Sequence, residues 1–289
     1  MNSASKITNN LHETLDYKIK ASLLLEAALN CEQPLTQTLQ GDDTELVVSL
    51  TTYNKRIHDV HLVVESIAQQ TIKPNRVVLW LDESEFSLNT IPHILHRQIA
   101  RGLEIRFCPD YRSYKKLIPS LMAFPESNIV TIDDDVLYPY DMLEILLREH
   151  RLFPKCVLGH RAHKIRVDDG GNVLPYCKWE RRTSESDSND FIFLTGVGGI
   201  FYPKNCFNSE VLNAEVFLSI APTADDVWFY TMARLNAFRC KKVDDERNFS
   251  ERFICIPQCQ DIGLWQSNVR CACNDEQIKM VFDRYGIQM

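Results

Sequence analysis

From residue 45 onward, short apolar runs alternate with segments whose apolar positions recur every three or four residues. Residues 46–50, 76–81, 103–107 and 129–132 are short, rich in Val, Ile and Leu, and bounded by polar residues, the pattern of buried strands. Residues 60–70, 92–100, 114–124 and 140–150 carry helical spacing instead. Pro92 falls at an allowed first-turn position, and Pro119 marks a kink. Strand and helix alternating in this way build an α/β domain with a mostly parallel, Rossmann-like sheet flanked by helices.

The second half changes style. Residues 157–167 and 173–179, joined by Asp168-Asp169-Gly170-Gly171, read as a β-hairpin. A polar loop follows at 183–190, then short strands at 191–194 and 200–202 around Gly196-Val197-Gly198-Gly199. This is a smaller, mixed β region. A helix over 224–236 begins at an acidic pair, and an amphipathic helix covers 274–285. Residues 1–43 stand apart as a helical N-terminal arm and linker. Leu11, Leu15, Ile19, Leu23 and Leu24 recur at helical spacing, and Pro34 and Gly41-Asp42-Asp43 punctuate the exit. The arm's apolar stripe is expected to pack on the main domain, residues 44–289, or to pair two copies as a homodimer.

The candidate chemistry lies at strand ends. Asp133-Asp134-Asp135 follows directly behind the run 129–132. Three adjacent carboxylates repel one another, and a divalent metal carrying a phosphorylated ligand relieves that repulsion. A solvated acidic turn is the plainer reading. In parallel sheets ligands bind beyond the carboxyl ends of the strands, and Asp82 falls on the same rim. The first strand opens onto Thr51, Thr52, Tyr53 and Arg56, a polar and basic loop suited to a base and phosphates. Asp225 and Asp226 open a helix, where the N-terminal dipole favours an ionised carboxylate. Plainer readings stand beside these: helix-start charges, a tight turn at the glycines, and surface cations at Arg56 and Lys116.

Composition narrows the field. The formal net charge of −7 over 289 residues argues against general nucleic-acid binding, which needs a basic footprint. No apolar run approaches the ~20 residues of a membrane span. Residues 1–10 are polar and lack the basic start and apolar middle of a signal peptide. Of ten cysteines, most stand alone in apolar stretches, as reduced thiols do. Cys255, Cys259, Cys271 and Cys273 are closer together, but their C-x3-C and C-x-C spacing departs from the usual zinc pairs. Reduced thiols are the default there.

Five blocks, in this order, resemble the nucleotide-sugar glycosyltransferases of the GT-A fold, specifically bacterial family-2-like enzymes that build surface polysaccharides. They are Val48-Ser49-Leu50-Thr51-Thr52-Tyr53 with Arg56, Tyr114-Lys115-Lys116-Leu117-Ile118-Pro119, Ile132 to Pro139, Gly196 to Pro203, and Ala221 to Trp228. The resemblance covers 47–285 and implies a nucleotide-binding half at 44–150 and an acceptor-binding half at 151–289. Asp133 and Asp135 match the family's D-x-D, whose first carboxylate contacts the ribose or the metal's hydration shell. The last binds Mn²⁺ or Mg²⁺ against the diphosphate. Asp82 matches the acid that holds the base or ribose. Thr51, Tyr53, Arg56, Lys116, Asp134, Gly198 and Gly199 fall at positions expected near the donor. Asp226 matches the general base that deprotonates the acceptor hydroxyl. Asp225 stands where the family more often has Glu, which leaves open which of the pair is the base. Trp179 and Trp228 are candidates for stacking on acceptor sugars, although a core is the commoner fate of tryptophan. No histidine follows His163, so the late histidine metal ligand of many retaining relatives is missing. That favours inversion by direct displacement.

The resemblance implies a nucleotide-diphosphate sugar as donor, a glycan or lipid-linked glycan as acceptor, and a cytoplasmic site or one peripheral to the inner membrane face. Two other classes compete. A sugar-phosphate nucleotidyltransferase shares a similar sheet but carries a glycine-rich loop after the first strand, and residues 51–56 contain no glycine. A non-catalytic glycan-binding protein on the same fold is the third reading.

Overall fold

The apolar run at 46–50 becomes β1 (Leu46–Thr51), buried in all but its last residue. The computed structural model describes residues 3–41, 44–262 and 273–289. Beside β1 lie β2 (Arg76–Asp82), β3 (Leu103–Cys108) and β4 (Asn128–Thr131), all parallel to it. Both faces of β1 are covered, so it reads as a continuous apolar run. Val48 and Leu50 point into one apolar layer and Val47 into the other, as strand alternation requires.

The remaining strands are β5 (Val136–Leu137), β6 (Cys156–Gly159), β7 (Ala162–Lys164), β8 (Ile192–Leu194), β9 (Ile200–Tyr202), β10 (Arg239–Lys242) and β11 (Ile254–Cys255). Seven strands form one sheet in the order β10-β6-β9-β4-β1-β2-β3, and only β9 runs against its neighbours. Two small antiparallel pairs, β5 with β11 and β7 with β8, sit beside it.

The expected hairpin over 157–179 is only partly formed. Residues 156–159 join the main sheet as β6, and β7 pairs along its length with β8, meeting the segment after the turn only at Lys164. What survives is a tip with bridges at Val167–Val173 and Lys164–Glu180. Burial decides this: Val157 and Leu158 belong to the two core layers, and a solvent hairpin would expose them.

The helices are α1 (Ser3–Asn30), α2 (Val60–Ala68), α3 (His93–Ile99), α4 (Ile118–Ala123), α5 (Met142–Leu152), α6 (Ala214–Ile220), α7 (Asp225–Leu235), α8 (Phe249–Arg252) and α9 (Cys273–Tyr285). The segment 114–124 divides into a tight turn, Arg112–Lys116, and α4, because Pro119 sits in the first turn of α4 rather than kinking a longer helix.

Helix α1 packs on the domain, but of the expected stripe only Leu24 among the described side chains is buried there. Leu24 and Ala28 are buried, and Tyr17 and Ala21 pack beside them on the core. Leu15, Ile19 and Leu23 face outward. Leu11's side chain and residues Asp42 and Asp43 lie outside what the structure describes. No helix among the described residues is long and apolar enough to cross a membrane.

A buried ion pair locks α2 to the turn after α3. Arg101 donates from Nη1 (2.8 Å) and Nη2 (2.9 Å) to the two Glu65 carboxylate oxygens, and from Nε to the Gln33 carbonyl (2.8 Å). Removing one partner leaves an uncompensated buried charge. Glu65→Ala should therefore cost about 3–5 kcal/mol in a urea titration. A loss below about 1 kcal/mol would mean the pair is solvated like a surface bridge.

Candidate active site

The parallel strands direct their carboxyl ends to one rim, and each delivers polar residues there. β1 delivers Thr51 and Thr52, β2 delivers Asp82, and β4 delivers the three aspartates. Because β9 is antiparallel, its amino end lies on the same rim, so the glycine turn Gly196–Gly198 arrives there too.

The triplet divides by exposure. The side chains of Asp133 and Asp135 are 28% and 16% exposed, whereas that of Asp134 is only 6% exposed. Asp134 turns inward. It accepts hydrogen bonds from Thr52 Oγ1 (2.6 Å) and Arg56 Nη1 (2.6 Å). Arg56 is buried as well. Its Nη2 reaches Asp135 Oδ2 (3.0 Å) and the Cys259 carbonyl (2.7 Å), and its guanidinium stands over the Tyr53 ring. Arg56 is thus no surface cation. It braces the turn, and four neighbours surround it.

The Asp133 backbone N–H donates to the Tyr138 hydroxyl (2.8 Å), and its Oδ1 accepts from Lys116 Nζ (3.1 Å). The same Lys116 ammonium lies 3.1 Å from Asp225 Oδ2. Burial works against this charge, but Asp133, Asp225 and Asp226 outweigh it and hold the Lys116 pKa well above its usual value. Lys116 is therefore the charged bridge between the D-x-D and the acidic pair of α7.

Asp226 accepts from the Gly196 backbone N–H through Oδ2 (3.3 Å), while its Oδ1 is buried without a hydrogen-bond partner. Burial pushes its pKa up, the neighbouring Asp225 pushes it further, and Lys116 pulls it down. It settles at about 7. Gly196 makes this convergence possible: a Cβ there would lie 2.8 Å from Lys116 Nζ and 3.2 Å from Asp133 Oδ1. Gly199 closes the turn at φ +78°, a conformation that favours glycine.

Asp82 ends β2 as expected, with both oxygens engaged. Ser84 donates to Oδ1 from its backbone (2.8 Å) and hydroxyl (2.7 Å), and Lys115 Nζ stands 3.4 Å from Oδ2. Burial raises its pKa, but these donors more than offset it and leave it lowered. Thr51 Oγ1 donates to the Trp80 carbonyl (2.9 Å).

The tryptophans are a correction. Trp179 and Trp228 are 3% and 0% exposed. Each indole N–H donates to a backbone carbonyl, of Leu174 (2.8 Å) and Val211 (3.1 Å) respectively. Neither offers a face to a sugar. Trp228 sits on the inner side of α7, and Trp179 packs tilted against Tyr176 and edge-on to Phe193. Gly196 and Tyr138 are not among the site residues named from the sequence, although both lie within the blocks that carry the resemblance.

No protein-family model matches the chain, and no curated protein matches it. Solved structures do. The mannosyltransferase PcManGT from Pyrobaculum calidifontis, in complex with GDP-Man and Mn²⁺, superposes with a TM-score of 0.52 at 16% identity. The match covers 97% of this chain and 74% of that one. The chain has the GT-A fold. S. aureus TarS 1–349, in complex with UDP, matches at a TM-score of 0.44 and 17% identity, over 70% of this chain. This chain spans 58% of that TarS fragment.

Among the described residues, no group of three or more His, Cys, Asp and Glu is arranged to hold a metal ion. A divalent cation bound with a nucleotide needs less. Mg²⁺ in particular uses one or two carboxylates, with substrate phosphates and water completing its shell. Asp133 and Asp135 supply that pair, as the two carboxylates of the triplet that retain exposure. The donor set fits Mn²⁺ or Mg²⁺. Of the C-terminal cysteines, Cys255 and Cys259 are free thiols. Cys271 and the side chain of Cys273 lie outside what the structure describes.

Proposed function

We propose that the protein is a metal-dependent glycosyltransferase that moves a sugar from a nucleotide diphosphate to an acceptor hydroxyl, inverting the anomeric centre by direct displacement. The observation that carries this reading is Asp226: a carboxylate with one oxygen unclaimed and a pKa near neutrality, beside Asp225, which shares Lys116 with Asp133. A general base works best with a pKa near the operating pH.

Asp133 and Asp135 would hold the metal, and bound there it would supply Lewis-acid neutralisation of the leaving diphosphate. Asp82 and the Thr51–Tyr53 turn receive the nucleoside. Asp134 is a positioning residue: through Thr52 and Arg56 it fixes the turn that presents its two neighbours. Asp226 takes the proton of the acceptor hydroxyl at Oδ1 as the new bond forms. Lys116 keeps Asp133 and Asp225 compensated, so that three carboxylates share one rim. The fold match with PcManGT, whose structure holds GDP-Man and Mn²⁺, supports the donor class.

The test is a thermal-shift screen with UDP-, GDP- and TDP-sugars, with and without Mn²⁺. A ligand at a hundred times its Kd stabilises the folded state by about 2.7 kcal/mol, which raises Tm by several degrees. At least one donor should do so only with the metal present. If none shifts Tm under either condition, the reading fails.

A further inference from the structure

Each fully buried lysine and arginine among the described residues has a carboxylate partner. Arg56 pairs with Asp134, Arg101 with Glu65, Lys115 with Asp82 and Asp110, Lys116 with Asp133 and Asp225, and Lys241 with Glu149. Arg161, two residues past the end of β6 and half-buried where the acceptor half meets the rim, has none among the described residues. Its Nε is buried without a hydrogen-bond partner, and its guanidinium stands 5.9 Å from the centroid of the Phe249 ring. A guanidinium nitrogen buried without a hydrogen-bond acceptor costs folding free energy. It is the arrangement of a cation kept for a ligand.

The backbone ties Arg161 to the base. Its carbonyl accepts from the Thr195 N–H (3.1 Å), one residue before Gly196, whose N–H holds Asp226. A Cβ on Gly198 would lie 3.1 Å from the Arg161 nitrogen, so the glycine turn and Arg161 are in direct contact. Arg182 adds a second guanidinium. It is exposed, adopts a left-handed backbone (φ 53°), and makes one side-chain hydrogen bond, to Ser250 Oγ (3.2 Å). The groups that act on Arg161 electrostatically are Arg182, Tyr176, Cys255 and Asp226. Burial, then Arg182, lowers its pKa. Asp226 is the carboxylate among these groups, and it is the proposed base. The position also separates this pair from the nucleotide strands: β6 lies beyond β9, on the opposite side of β4 from β1 and β2.

We propose that Arg161 and Arg182 bind an oxyanion, a phosphate or carboxylate, carried by the acceptor next to the hydroxyl that Asp226 deprotonates. This rests on the reading of Asp226 as the base. The acceptor is then an acidic glycan rather than a neutral one.

Inorganic phosphate is the probe. It is titrated into wild type, Arg161→Gln, Arg182→Gln and the double variant, each saturated with Mn²⁺ and whichever nucleoside diphosphate, UDP or GDP, binds. Phosphate should bind the saturated wild type, and its affinity should fall about tenfold or more in Arg161→Gln, the loss of a charge-assisted contact. Arg161→Lys should retain part of the response, which separates charge from folding. Nucleotide affinity should stay at the wild-type value throughout. Equal phosphate affinity in wild type and the double variant overturns the proposal. So does a nucleotide affinity that falls with Arg161, because the pair would then belong to the donor diphosphate. If neither nucleotide binds wild type, the glycosyltransferase reading fails on its own, and the Arg161 dependence of phosphate binding is read on the nucleotide-free protein.

Discussion

Asp226→Asn should lower the rate of sugar transfer by about two to four orders of magnitude, the range of a general base, while the nucleotide diphosphate binds as before. The amide keeps the size and the Gly196 contact but offers no lone pair basic enough to take the acceptor proton. The pH profile gives a sharper reading. The base must be ionised, so kcat/KM should climb with pH through a limb near 7, where burial and Asp225 place this carboxyl. Two substitutions should move that limb in opposite directions. Asp225→Asn removes a negative neighbour that raises the Asp226 pKa, so the limb should shift to lower pH. Lys116→Met removes the cation that lowers it, so the limb should shift to higher pH. Full transfer by Asp226→Asn would sink the assignment. A limb that vanishes in Asp225→Asn instead would reverse the roles of the pair.

Asp135→Asn should abolish the Mn²⁺ dependence of nucleotide binding. The substitution removes half of the carboxylate pair available to a hard cation, and a neutral amide oxygen does not replace the lost charge. It also takes from Arg56 one of its two carboxylates, but Asp134 and the Cys259 carbonyl still hold that guanidinium, so the turn should keep its shape. Calorimetric titration of UDP and GDP with and without Mn²⁺ is the readout, with circular dichroism as the folding control. Undiminished Mn²⁺-dependent binding in the variant would move the metal away from Asp135. The parallel substitution Asp134→Asn separates the two kinds of aspartate. It strikes a buried carboxylate that serves Thr52 and Arg56, so it should lower Tm as well as binding.

The strands of the nucleotide half are legible in the chain because burial on both faces turns a parallel strand into an unbroken apolar run. The aspartates at the end of β4 and the acid at the end of β2 follow from that alone. β10 is not legible. Its sequence, Arg239-Cys240-Lys241-Lys242, reads as surface, and it is a strand because Cys240 fills the core and Lys241 finds Glu149 at 2.8 Å, across 92 positions of sequence. The two-residue pair β5–β11 is equally silent, since each strand is too short to carry a period. At the site, the sequence shows which residues are acidic but not which are neutralised. Asp133, Asp134 and Asp135 look alike in the chain. Arg56 and Lys116 distinguish them, and those contacts exist only once four separate segments have met. An indole likewise has the same composition whether it lines a sugar site or fills a core, and only its burial separates the two.

Lys20, on the inner face of α1, donates to the carbonyl oxygen of Tyr138 (2.9 Å), and the hydroxyl of that tyrosine receives the Asp133 N–H. One tyrosine thus spans the distance between the first helix and the first aspartate. The N-terminal arm is a strut of the turn that carries Asp133, Asp134 and Asp135. A fragment starting at Thr44 would keep every residue of the rim, yet it would hold Asp133 on a tyrosine anchored at one end only.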